Sequence, residues 1–115
     1  CFGQTEFLPL KFNPNTQEII VEHNHLSDEL GQRVVDDARA LTQAMGYDMN
    51  AIEFGIRDGI PYVIDPLNPV PDLGISTLTP FYFDQVVKRM ANVVSDLAKN
   101  PKPQLNEMRW GSLFG

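Results

Sequence analysis

The sequence predicts an α+β domain, an antiparallel sheet with two helices packed on one face. Three observations carry that expectation. Two stretches, Leu30 to Met45 and Phe83 to Leu97, repeat apolar residues at helical spacing. Two pairs of short apolar runs turn back on themselves, around Asn13-Pro14-Asn15-Thr16 and around Arg57-Asp58-Gly59. The resulting order is strand, strand, helix, strand, strand, helix, which suits helices layered on an antiparallel sheet.

Each element has its own local reason. Phe2 to Phe12 reads as an extended segment interrupted by Pro9, and Glu18 to Glu22 returns as a second strand. The loop through His23 and His25 leads to Ser27, a good N-cap, with Asp28 and Glu29 suited to the positive end of a helix. Leu30, Val34, Ala38, Leu41 and Met45 then share a face, and Gly46 stops the run. A hairpin follows, then a Pro-rich loop from Pro66 to Pro71. The second helix is expected to begin at Thr79-Pro80, a capping residue before a proline at the first helical position. Its stripe is Phe83, Val86, Val87, Met90, Val93, Val94 and Leu97, and Asn100-Pro-Lys-Pro103 ends it. Met108, Trp110, Leu113 and Phe114 give the tail an apolar content that predicts docking.

Composition bounds the function. The chain has 115 residues, 43% hydrophobic and 21% charged, the profile of one soluble globular domain. A net charge of −6 argues against nucleic acid or an anionic membrane as partner, since both select clustered Lys and Arg. Cys1 is the single cysteine, so there is no internal disulfide and no cysteine-based zinc knuckle. Neither a membrane span nor a signal peptide is visible, and a cytoplasmic setting is expected.

The hairpin admits two registers, and a one-residue slip exchanges the faces. A two-residue Asp58-Gly59 turn sets Glu53 opposite Ile64 and sends Asp65 to the other face. A three-residue loop of Arg57, Asp58 and Gly59 sets Ile56 opposite Ile60, with Gly59 in the left-handed region. The second register gathers Ile52, Phe54, Ile56, Ile60, Tyr62 and Ile64 on one face. Burying six such side chains at about 1.5–3 kcal/mol each favours it. Glu53 then faces Val63 with Asp65 diagonal to it, and Gly55 leaves space on that face. Two acids so placed suit Mg²⁺, which takes carboxylate oxygens and shares its shell with phosphates and water. Asn68 adds a neutral oxygen. The plain alternative is a solvated polar face.

The run Gly46-Tyr-Asp-Met-Asn-Ala-Ile-Glu-Phe-Gly-Ile-Arg-Asp-Gly-Ile-Pro-Tyr-Val-Ile-Asp-Pro-Leu-Asn-Pro-Val-Pro-Asp72 resembles the metal-binding hairpin of the ATP-grasp superfamily. That superfamily includes glutathione synthetases, D-alanine–D-alanine ligases and related carboxylate–amine ligases. The resemblance implies that Glu53, Asp65 and Asn68 hold Mg²⁺, or Mn²⁺ in its place, against the phosphates of ATP. It is specific over residues 46–72 and looser over residues 1–98, which it reads as the C-terminal subdomain of the ATP-grasp fold, with 99–115 as a tail. Two departures stand out. The second acid is Asp where many members have Glu, and two residues, not one, separate Asp65 from Asn68.

The activity implied is ATP-dependent formation of a C–N bond. A carboxylate substrate is phosphorylated and an amine acceptor displaces the phosphate, with the acids acting as metal ligands and no residue assigned to acid–base catalysis. A homo-oligomer is compatible with this. The phosphate-binding lysines and adenine-recognising hinge belong to the part of such enzymes that precedes Cys1, so the chain alone is expected to be inactive. The rival expectation is a non-catalytic scaffold or partner-binding domain with a degenerate ATP-grasp fold. Lys11 is a candidate for a nucleotide phosphate against a solvated strand-end lysine, and Asn50 a candidate ligand contact against a cap before the strand. His23 and His25 lack further zinc ligands and read as loop histidines. Arg57 reads as an exposed turn residue, Trp110 as a tail anchor, and Cys1 lacks a histidine base.

Overall fold

The computed structural model describes residues 1–103. Helix α1, Asp28–Met45, starts and stops where its caps say it should. Ser27 Oγ accepts from the Leu30 N–H at 3.2 Å. Gly46, at φ 73°, donates its N–H to the Thr42 and Gln43 carbonyls, and a left-handed residue at that place is the usual way a helix satisfies its last acceptors.

Strands β1, Lys11–Asn13, and β2, Glu18–Ile20, pair antiparallel with Lys11 opposite Ile20. Asn13 builds the turn between them: its Oδ1 accepts from Asn15 N at 3.0 Å and its carbonyl from Gln17 N at 2.8 Å. Strands β3, Ala51–Arg57, and β4, Ile60–Asn68, form the second antiparallel pair. The α+β class expected from the sequence is the observed one. Among the described residues, however, the four strands form two separate two-stranded ladders, with α1 contacting β4 and α2 contacting β2.

The first segment is not a strand from Phe2 onward. Phe2 N donates to the Glu6 carbonyl at 2.8 Å across a tight turn in which Gly3 and Gln4 take φ 59° and 64°. Phe2 makes isolated antiparallel bridges to Glu6 and Met49, and continuous strand pairing begins at Lys11.

Helix α2, Ile75–Lys99, contains a break at Thr79, whose φ of 68° and ψ of 155° leave the helical region. Its long arm therefore starts at Pro80, as the sequence predicts, with one helical turn before it. The face that α2 buries is Leu78, Tyr82 and Val86, four residues apart, and these close on Phe2. Leu8, Leu10, Ile19, Met49 and Met90 pack around them. The expected stripe holds in part: Phe83, Val86, Met90 and Val93 join this core, whereas Val87 and Val94 are 45% and 64% exposed, and Leu78 and Tyr82, outside that stripe, are 3% exposed each. No described helix is long and apolar enough to cross a membrane. The tail with Met108, Trp110, Leu113 and Phe114 lies outside the described residues.

Candidate cation-binding hairpin

The turn between β3 and β4 is the two-residue one. Arg57 pairs with Ile60, and Asp58 and Gly59 take φ 52° and 72°. Two successive positive φ values make the primed turn that matches the twist of a hairpin, and Asp-Gly is a favoured sequence for it. Gly59 is left-handed as expected, but the three-residue loop with Ile56 opposite Ile60 is not formed. The face sorting built on it fails with it. Phe54 pairs with Val63, Gly55 with Tyr62 and Ile56 with Pro61. Ile56, Ile60, Tyr62 and Ile64 are 44%, 40%, 51% and 62% exposed. The burial energy that argued for the other register is absent, because these side chains meet water, and the turn decides.

Continued without interruption, the observed register sets Glu53 against Ile64. It is interrupted. The pairing shifts between Phe54 and Glu53, so that Glu53 lies directly across from Asp65, and shifts again before Ala51, which pairs with Asn68. Each shift inserts an extra residue into β4, a bulge that bends the strand and re-aims its side chains. The acids are therefore ladder partners, with Cα atoms about 4.5–5.5 Å apart in such pairs, closer than the diagonal relation the sequence suggested. Asn68 faces Ala51, two residues from Glu53 and so on the same side of β3.

Glu53 and Asp65 are both exposed and Asn68 is half-buried. Asp65 Oδ1 accepts from the Leu67 N–H at 3.0 Å, which holds the chain through Pro66 and fixes the carboxylate. The space expected over Gly55 is taken: a Cβ there would lie 3.4 Å from Ile64 Cδ1. Among the described residues no three His, Cys, Asp or Glu side chains converge. Along this ladder stand two carboxylates and one amide, with both acids exposed. Carboxylate and amide oxygens are the ligand type that a hard cation such as Mg²⁺ takes.

The remaining candidates stand apart. Lys11 lies in the other ladder, and its Nζ is 2.5 Å from Glu22 Oε2. That contact holds the Glu22 carboxyl below its ordinary range. Asn50 is 2% exposed, and its Oδ1 accepts from Thr42 Oγ1 at 3.2 Å. His25 Nδ1 is 2.9 Å from the Glu22 carbonyl, and His23 meets the Phe81 ring edge-on with centroids 4.9 Å apart. Arg57 is exposed beside Asp58. Two cavities, of about 530 and 300 Å³, are lined by other residues: one between Phe2–Glu6 and the end of α2, the other around His23–Asp28. Thr42, wholly buried, was missed by the sequence reading. It sits four residues after Ala38, on the helix's inner face, and that spacing was the available signal.

Comparison with protein-family models, with curated proteins and with solved structures finds no match to this chain.

Proposed function

We propose that the β3–β4 hairpin is the metal-holding element of an ATP-grasp carboxylate–amine ligase. The observation that carries the reading is the Glu53–Asp65 ladder pair with Asn68 beside it, in a run that resembles the family's motif. Like charges directly opposite each other destabilise a ladder, and a cation between them reverses that. In this reading Glu53 and Asp65 each give a carboxylate oxygen and Asn68 an amide oxygen to Mg²⁺, or to Mn²⁺. The ion supplies charge neutralisation at the phosphates of ATP. The chain's own contribution is to fix the two carboxylates at the bulge and leave their outer side open to phosphate and water. The ligase class then joins a phosphorylated carboxylate to an amine, in the cytoplasm. Lys11 and Asn50 would contact nucleotide only after rearrangement, since one is paired with Glu22 and the other buried against Thr42.

No lysine lies in the hairpin, and this chain alone is expected not to turn over ATP. The test is thermal unfolding with millimolar Mn²⁺. An ion that binds only the folded state raises the melting temperature by mass action. The rise should vanish in Glu53→Gln and in Asp65→Asn and shrink in Asn68→Ala. An equal rise in all four proteins removes the reading.

A second reading is favoured by the hairpin's surface. Ile64, Leu67 and Val70 are 62%, 64% and 85% exposed, an apolar surface of the kind that marks partner sites. A scaffold domain would keep that surface and show no response to Mn²⁺.

A further inference from the structure

Beyond the turn the hairpin can be written with a regular pairing or with the bulged one observed, and only the bulged one sets Glu53 against Asp65. Near the turn the ladder follows Arg57–Ile60, Ile56–Pro61, Gly55–Tyr62 and Phe54–Val63. Continued regularly, it would pair Glu53 with Ile64, Ile52 with Asp65 and Ala51 with Pro66. The observed ladder instead ends two residues out of step, with Ala51 on Asn68. The exposed apolar side chains of β3 and β4 give no strong burial preference for either arrangement. Something else selects it.

We infer that the buried Thr42–Asn50 pair is a register pin. These two are the buried polar residues among those described, at 0% and 2% exposure, and they bond to each other. Asn50 immediately precedes β3, and Thr42 lies in the last turns of α1. The same helix packs against β4. Both strands are thus referred to one rigid element, β4 by packing and β3 by the hydrogen bond, and their offset follows. The Asn50 backbone adds a second hold, its N–H donating to the Cys1 carbonyl at 3.3 Å and its carbonyl accepting from Cys1 N at 2.9 Å. Asn50 Nδ2 is buried with no partner among the described residues. A buried pair that leaves a donor unpaired is a poor source of stability, and fixing register is the best-attested use of such groups. At the other end the Asp65–Leu67 turn accommodates the slack as a bulge. Thr42 and Asn50 are positioning residues, acting on the acids only through β3. The pin's relevance to metal binding rests on the reading above; its effect on register does not.

The test separates register from stability. Replacing both members by apolar groups of similar shape leaves no orphan, so Thr42→Val/Asn50→Leu should fold about as well as the parent chain. Cross-strand backbone NOEs then report the pairing. The parent chain and Thr42→Ser, which keeps the hydroxyl, should show Glu53 against Asp65. The double variant should show Glu53 against Ile64, or two sets of hairpin signals, and at least tenfold weaker Mn²⁺ binding. A single set with Glu53 still against Asp65 overturns the pin, and so does a double variant that fails to fold. If the NOEs shift as expected while the parent chain binds no Mn²⁺, the pin stands and the metal reading falls.

Discussion

The two halves of this molecule are held by different forces. On one side, Leu78, Tyr82 and Val86 of α2 close on Phe2, each 5% exposed or less. Burial dominates there, and positions follow from packing. On the other side the β3–β4 hairpin leaves Ile56, Ile60, Tyr62, Val63 and Ile64 at least 40% exposed. Turn chemistry and a polar pair dominate there, and positions follow from hydrogen bonds. The candidate site sits on the second side. A pair of carboxylates meant for a hydrated cation needs an open, accurately registered surface more than it needs a dry core.

The largest expected effect breaks that contrast if it fails. Leu78→Ala should cost about 2–5 kcal/mol in chemical denaturation, the range for deleting a large core side chain. Ile64→Ala, on a side chain 62% exposed, should stay within about 0.5 kcal/mol. Equal costs would put the hairpin face in the core and refute the division. Next comes Gly59→Ala. A Cβ there meets nothing within 4 Å, so its cost is backbone alone. Holding a residue with a Cβ at φ 72° should cost about 1–2 kcal/mol and be felt in the hairpin, with α2 unaffected by hydrogen exchange.

Thr79 sharpens the comparison from the core side. A β-branched residue at φ 68°, ψ 155° is strained, and its buried hydroxyl has no partner among the described residues. Thr79→Gly should therefore stabilise, by up to about 1 kcal/mol after glycine's own entropy cost. The smallest effect is electrostatic. Hydrogen bonds from Thr77 and Gly74 hold the Asp72 carboxyl below its ordinary range, as Lys11 holds that of Glu22. A carboxyl lowered in the folded state protonates later there than in the unfolded chain. Its contribution is thus present above the ordinary carboxylate range and is lost as pH falls through the folded value. In an acid titration of the melting temperature, Asp72→Asn and Glu22→Gln should each lower the value slightly at neutral pH, leave it unchanged at low pH, and so flatten the acid limb.

How far the sequence could be read divides along the same line. Helix α1 was readable to the residue, because Ser27 and Gly46 are local signals that no tertiary contact overrides. The Pro80 start of the long arm of α2 was readable for the same reason. The hairpin register was not. Six side chains favour the three-residue loop only where they are buried, and Ile56, Ile60, Tyr62 and Ile64 are 40% exposed or more, so the Asp58-Gly59 turn prevails. Glu53 and Asp65 nevertheless meet, but through a bulge that no spacing rule announces. Leu78 lies before the Thr79 break, beyond the reach of the long arm's periodicity, and Tyr82 stands between Phe81 and Phe83, where residue type does not single it out. Thr42 is marked as buried only by its place four residues after Ala38, and its polar residue type points the other way.

The central claim is that the bulge joins Glu53 and Asp65 into one cation-holding site. The most direct measurement is a titration of the isotopically labelled protein with sub-stoichiometric Mn²⁺, following paramagnetic broadening of backbone amides. The account predicts selective loss of the signals of Glu53, Asp65 and Asn68, with the β1–β2 ladder around Lys11 and Glu22 unaffected, and no selective loss in Glu53→Gln. Uniform broadening over every exposed acid, Asp36 and Asp37 of α1 included, would contradict it.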